Sequence, residues 1–153
     1  MSSLTKRDVK PSGTTLALDA DALGALRAHA EEGYPHEVVG ILAGDRASHR
    51  VTRCVALVNE RATDAARRYK VNGLIVMKAE QRLDAEGLEV VGYYHSHPDH
   101  PAMYSDTDRD LALPNMSYLI VSVGADGVED IKSWRLRDDR AEMELEALAT
   151  DAG

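Results

Sequence analysis

The chain has 153 residues, 44% hydrophobic and 29% charged, with a net charge of −8 and a pI near 5.2. That length suits one domain with a real core, and the acidic balance argues against a nucleic-acid partner, because phosphate binding needs a basic face. The single cysteine, Cys54, excludes an internal disulfide and a four-cysteine zinc site, and no apolar run approaches the roughly 20 residues that span a bilayer.

The opening MSSLTKRDVKPSGTT carries charges but no apolar secretory segment, so residues 1–14 read as a flexible tail and the expected location is cytoplasmic. One domain is expected over residues 15–140, with no repeat or linker inside it. Residues 16–33 read as a helix. Asp19 can cap it, Ala22, Leu23, Leu26 and Ala30 share a face, and Gly33 can end it. EVVGILAG (37–44) is a short apolar run closed by glycine, hence a buried strand, and SHRVTRCVALV (48–58) is a second strand. Residues 59–68 read as a loop and RYKV as a brief strand. Residues 72–87 read as a helix with Asn72 as cap and Gly87 as stop. LEVVGYYHSH (88–97) is a strand, SDTDRDLAL (105–113) a short helix ending before Pro114, MSYLIVSV (116–123) a buried strand, and EDIKSWRLRDD (129–139) a last strand. The tail over 141–153 is expected to be helical or frayed. Strands and helices alternate irregularly, which implies an α/β (α+β) domain, a mixed sheet flanked by helices. The regular βαβ spacing and the G-x-G-x-x-G loop of a dinucleotide-binding fold are absent.

The chemistry concentrates in GYYHSHPDHPAMYSDTDRD, residues 92–110. On a strand, residues two apart point to one face with Cα atoms roughly 6.6 Å apart, so His95 and His97 can aim at one point, while Ser96 faces away. Two imidazoles need a third ligand to make an open zinc site with water in the fourth position. A turn through Pro98 and Pro101 would bring the next helix back, with Asp108 in its first turn. Ser105-x-x-Asp108 also fits a helix capping box. Asp99, His100, Asp106 and Asp110 compete with Asp108 as ligands, and spacing does not separate them. His29, His36, His49 and the packed thiol of Cys54 are expected to serve no chemistry.

Taken together, His95, Ser96, His97, Pro98, Ser105 and Asp108 resemble the signature of the JAMM (MPN-plus) metalloprotease family, His-x-His-x7-Ser-x2-Asp. PHEVVGILAG resembles the upstream glutamate segment of that family and puts Glu37 in its place, with Val39 where the family has cysteine. Asn59, Arg68 with Tyr69, and Ser133 with Trp134 also fit, so the resemblance covers about residues 16–138. It implies an MPN core related in shape to cytidine deaminases. It further implies His95, His97 and Asp108 as ligands of one Zn2+ per chain, Glu37 as general acid/base, and Ser105 as donor to the oxyanion.

The same resemblance implies hydrolysis of peptide or isopeptide bonds after the C-terminal Gly-Gly of a ubiquitin-like protein. The short connections leave no room for large insertions, which resembles the minimal prokaryotic type. The implied partners are then sulfur-carrier proteins, as conjugates or as cysteine adducts. A free strand edge beside the site would bind such a tail by strand addition. Two alternatives stand beside this one: a non-catalytic MPN scaffold, and a DNA-repair-associated relative, although that group favours His-Asn-His-Pro-Ser-Gly. A zinc deaminase would need His-x-Glu and Pro-Cys-x-x-Cys, which one cysteine cannot supply.

Overall fold

The structure is a computed structural model and describes residues 8–57 and 73–150. Within them the strands are β1 (Pro11–Leu18), β2 (Val39–Asp45), β3 (Arg50–Leu57), β4 (Glu89–Pro98), β5 (Ser117–Gly124), β6 (Gly127–Leu136) and β7 (Met143–Thr150). The helices are α1 (Ala20–Gly33), α2 (Gly73–Ala85) and α3 (Asp106–Leu111). The strands form one mixed sheet in the order β1-β3-β2-β4-β5-β6-β7, and it closes on itself because β1 pairs in parallel with both β7 and β3. The β4–β5 pair is also parallel, and the other neighbours are antiparallel. Parallel neighbours need a crossover, which here carries α3.

The sheet is covered on both faces, which explains why its central strands read as continuous apolar runs. All eight residues of β5 are buried. Its Leu119, Val121 and Val123 pack with Ala22, Leu26 and Ala30 of α1, whose apolar face lies where the helical spacing puts it. The opposite β5 face presents Tyr118 and Ile120 to Ala102, Tyr104 and Trp134. Farther along that face, Ile41 and Ala43 of β2 meet Leu83 of α2. Gly40 faces Tyr94 across the β2–β4 pair, and a Cβ there would fall 2.1 Å from the tyrosine ring. The Tyr94 hydroxyl then reaches His29 Nδ1 on α1 at 2.6 Å.

Three expectations change. Residues 16–18 are strand, not helix: Leu16 and Leu18 are buried alternately in β1, and the helix begins only after Asp19. Residues 11–14, expected in a flexible tail, lie in β1. Residues 143–150 form β7 rather than a helical or frayed end, because β1 and β6 take up their backbone hydrogen bonds. The loop at 59–68, the RYKV strand, Asn72, and the features at Asn59, Arg68 and Tyr69 lie outside the described residues. Among the described residues, no helix is long and apolar enough to cross a membrane.

Candidate metal centre

β4 is parallel to β5, and its carboxyl end opens where the chain leaves for α3. His95 and His97 sit there, buried at 4% and 7% exposure, with their Nε2 atoms 3.1 Å apart. Asp108 closes the cluster from α3: its Oδ1 lies 3.4 Å from His95 Nε2 and its Oδ2 3.7 Å from His97 Nε2. One donor atom from each residue falls within 4.8 Å of the others, and no other such group of three occurs among the described residues.

The donor set fits a metal ion. Ligands about 2.0–2.1 Å from a tetrahedral zinc would stand roughly 3.3 Å from one another, close to the spacings observed. His97 Nδ1 lies 2.9 Å from the Pro101 carbonyl. A carbonyl only accepts, so Nδ1 carries a proton, and Nε2 is the ring nitrogen that faces the cluster. Burial pushes the Asp108 carboxyl up, but hydrogen bonds from His95 and His97, the charge on His95 and the Ser105 amide more than offset this and hold it well below the usual carboxylate range. It therefore stays an anion, as a ligand must.

Local structure sets the third member. Ser105 is the N-cap of α3, its Oγ accepting from Asp108 N at 3.1 Å while Asp108 Oδ2 accepts from Ser105 N at 2.8 Å. The capping box and the cluster use the same two residues and are compatible. Because Ser105 Oγ accepts from the amide, its own O–H is left to donate elsewhere. The linker to α3 is fixed by Trp134, which donates from Nε1 to Ala102 O at 3.0 Å and packs edge-on to Tyr104.

The rival ligands fall away. Asp99, His100, Asp106 and Asp110 are all exposed. Asp99 accepts from the Tyr34 hydroxyl, and Asp110 pairs with Arg109. Glu37 is half-buried just ahead of β2, with its Oε1 buried. The β2–β4 register pairs Val39, two residues after Glu37, with His95. Ser96 was expected only to face away from the cluster. It does, and there it bonds Val38, the neighbour of Glu37. The alternation that aims two histidines one way must aim the residue between them the other way. The expected free edge is missing among the described residues, because β4 is paired on one side with β2 and on the other with β5. Instead, an apolar cavity of about 230 Å³ adjoins His95, lined by Val39, Tyr93, Leu111, Leu113 and Tyr118 among others.

A buried His-His-Asp cluster at the carboxyl end of β4, in a mixed, helix-covered sheet, is the arrangement of a metallopeptidase of the JAMM class. The chain belongs to the family described as prokaryotic homologs of the JAB domain, which matches residues 19–137. It is 34% identical to a desampylase from Haloferax volcanii over 116 residues, 72% of this chain and 83% of that one. It is 35% identical to the CysO-cysteine peptidase of Mycobacterium tuberculosis over 125 residues, covering 80% and 84% of the two chains. A probable TtuB-protein conjugate cleaving protease from Thermus thermophilus is 35% identical over 116 residues, covering 76% and 74%. Among solved structures, a protein from Salinibacter ruber superposes with a TM-score of 0.70 at 34% identity, covering 90% and 92%. A JAB1/MPN domain protein from Archaeoglobus fulgidus superposes with a TM-score of 0.59 at 18% identity over 91% of this chain and 100% of that one, a likeness of fold.

Proposed function

We propose that this chain is a zinc-dependent peptidase that hydrolyses the bond after the C-terminal Gly-Gly of a ubiquitin-like or sulfur-carrier protein, from a conjugate or a cysteine adduct. The observation that carries this is the buried His95–His97–Asp108 cluster, with Pro101 fixing the His97 tautomer so that Nε2 faces it. The names of the three curated relatives support the substrate class. His95, His97 and Asp108 would hold the zinc, which when bound supplies Lewis acidity and an acidified water at neutral pH. Glu37 takes the proton of the attacking water and delivers it to the leaving amine. Ser105, whose O–H is not used by the helix cap, donates to the oxygen on which charge develops. The apolar cavity beside His95 receives the extended tail, and glycines allow its backbone to come close to the cluster. With no strand edge beside His95 among the described residues, this groove replaces strand addition as the binding mode.

The test uses a sulfur-carrier protein extended by one cysteine after its Gly-Gly, followed by mass spectrometry. Release of the Gly-Gly carrier is expected, lost on chelation, restored by zinc, and absent in a Glu37→Gln variant that still holds metal. No metal-dependent release at micromolar enzyme would overturn the activity. Absence of metal from the protein, even after zinc is added back, would instead favour a non-catalytic scaffold.

A further inference from the structure

Glu37 lies in a five-residue connection between α1 and β2, and such a connection has little rigidity of its own. In this chain it is anchored at both ends to the segment that carries the histidines. At the far end, Ser96 N donates to Val38 O at 3.0 Å, as in an ordinary antiparallel pair. The reciprocal bond is not ordinary. Val38 N donates to the Ser96 side chain, at 2.9 Å from Oγ, where a ladder would use a carbonyl. Ser96 is fully buried between His95 and His97, on the opposite face of β4. At the near end, the Tyr34 hydroxyl bonds both carboxylate oxygens of Asp99, at 2.8 and 2.9 Å, just past β4. Residue 37 therefore hangs between two fixed points, 34 and 38, and both are tied to the strand that carries His95 and His97.

We propose that Ser96 and the Tyr34–Asp99 pair form a two-point clamp that positions Glu37 against the His95–His97–Asp108 cluster. Ser96 is the principal positioning residue. The proposal rests on the reading of Glu37 as the proton carrier. A general base must stand within hydrogen-bond reach of the proton it takes, and a misplacement of about 1 Å is enough to cost up to ~100-fold in rate. The hydroxyl at position 96 holds the amide next to Glu37 without touching the reacting groups. Neither Ser96 nor Tyr34 is needed as a ligand, so removing them should spare metal binding and impair proton transfer.

The experiment compares wild type with Ser96→Ala, Ser96→Thr, Tyr34→Phe and Glu37→Gln, all as zinc-loaded full chains. Zinc content, the hydrogen-exchange rate of the Val38 amide, and kcat and KM on a cysteine-extended carrier are measured. Ser96→Ala should keep one zinc, exchange Val38 at least about tenfold faster, and lose roughly tenfold or more in kcat with KM within about twofold. Ser96→Thr retains Oγ and should restore both exchange protection and kcat. Tyr34→Phe, at a partly exposed site where a folding defect is not expected, should lower kcat by a smaller factor in the same pattern. Wild-type kcat in both Ser96→Ala and Tyr34→Phe, beside an inactive Glu37→Gln, would overturn the clamp alone. So would loss of zinc from Ser96→Ala in step with its activity, because Ser96 would then be supporting the ligands. An active Glu37→Gln would overturn the reading of Glu37 itself and with it any catalytic purpose for the clamp.

Discussion

Asp108 holds two positions at once. As the third residue of α3 it accepts from the Ser105 amide, and from the same place its carboxylate reaches both imidazoles. Asp106 and Asp110 lie two residues to either side, roughly 200° around the helix, and so point away. That angle is what spacing along the chain could not supply. The histidine pair was legible because strand alternation fixes it, whereas the choice of Asp108 over Asp99, His100, Asp106 and Asp110 depended on how the chain after β4 docks. The two roles separate by substitution. Asp108→Asn keeps an oxygen for Ser105 N but loses the charge, and Asp108→Ala loses both. Elemental analysis should find zinc well below one per chain in either variant. Urea unfolding in chelator should then find only the alanine variant weakened by the missing cap, by about 1 kcal/mol.

At the scale of elements, β7 is the instructive case. MELEALAT is rich in good helix formers, and nothing local forbids a helix. Tertiary pairing overrides the preference, and Glu146 shows how. Its side chain is wholly buried, with Oε1 accepting from Ser117 at 2.6 Å and Ser133 at 2.8 Å. Oε2 accepts from Thr14 at 2.7 Å and from His49 Nε2 at 2.8 Å, and Arg135 stands 3.7 Å away. One carboxylate thus joins β1, β5, β6 and the turn before β3 to β7, at the seam where the sheet closes. His49, read from the sequence as a residue without chemistry, is one of its donors. Long-range partners of this kind leave no local periodicity, so the terminal strand was hidden while the helix-covered strands were plain. Glu146→Ala would leave the buried hydroxyls of Ser117 and Ser133 without their acceptor and remove the partner of the half-buried His49 and of Thr14. A loss of about 3–5 kcal/mol is expected, seen as a lower denaturant midpoint at unchanged slope. A loss under about 1 kcal/mol would mean that water replaces the carboxylate. Zinc content of the folded variant should stay normal, because the network lies away from the cluster.

For the whole molecule, the cluster joins parts of the chain that lie apart in the sequence. His95 and His97 come from β4 and Asp108 from the crossover between β4 and β5. An unfolded chain offers no such arrangement, so metal binds the native state and its binding free energy adds to folding. At a free metal concentration about 100 times the dissociation constant, that addition is about 2.7 kcal/mol. In a domain of this size, each kcal/mol moves the melting temperature by roughly 2–4 °C. Chelation should therefore lower Tm by about 5–10 °C, and added zinc should restore it. The same titration on Asp108→Ala or His97→Ala should move Tm hardly at all, because the ion has lost a ligand. Glu37→Gln should keep the full shift, since its carboxylate is assigned to proton transfer and not to holding metal. A Glu37→Gln variant that lost the shift would place Glu37 among the ligands instead, and the division of labour between cluster and proton carrier would have to be redrawn.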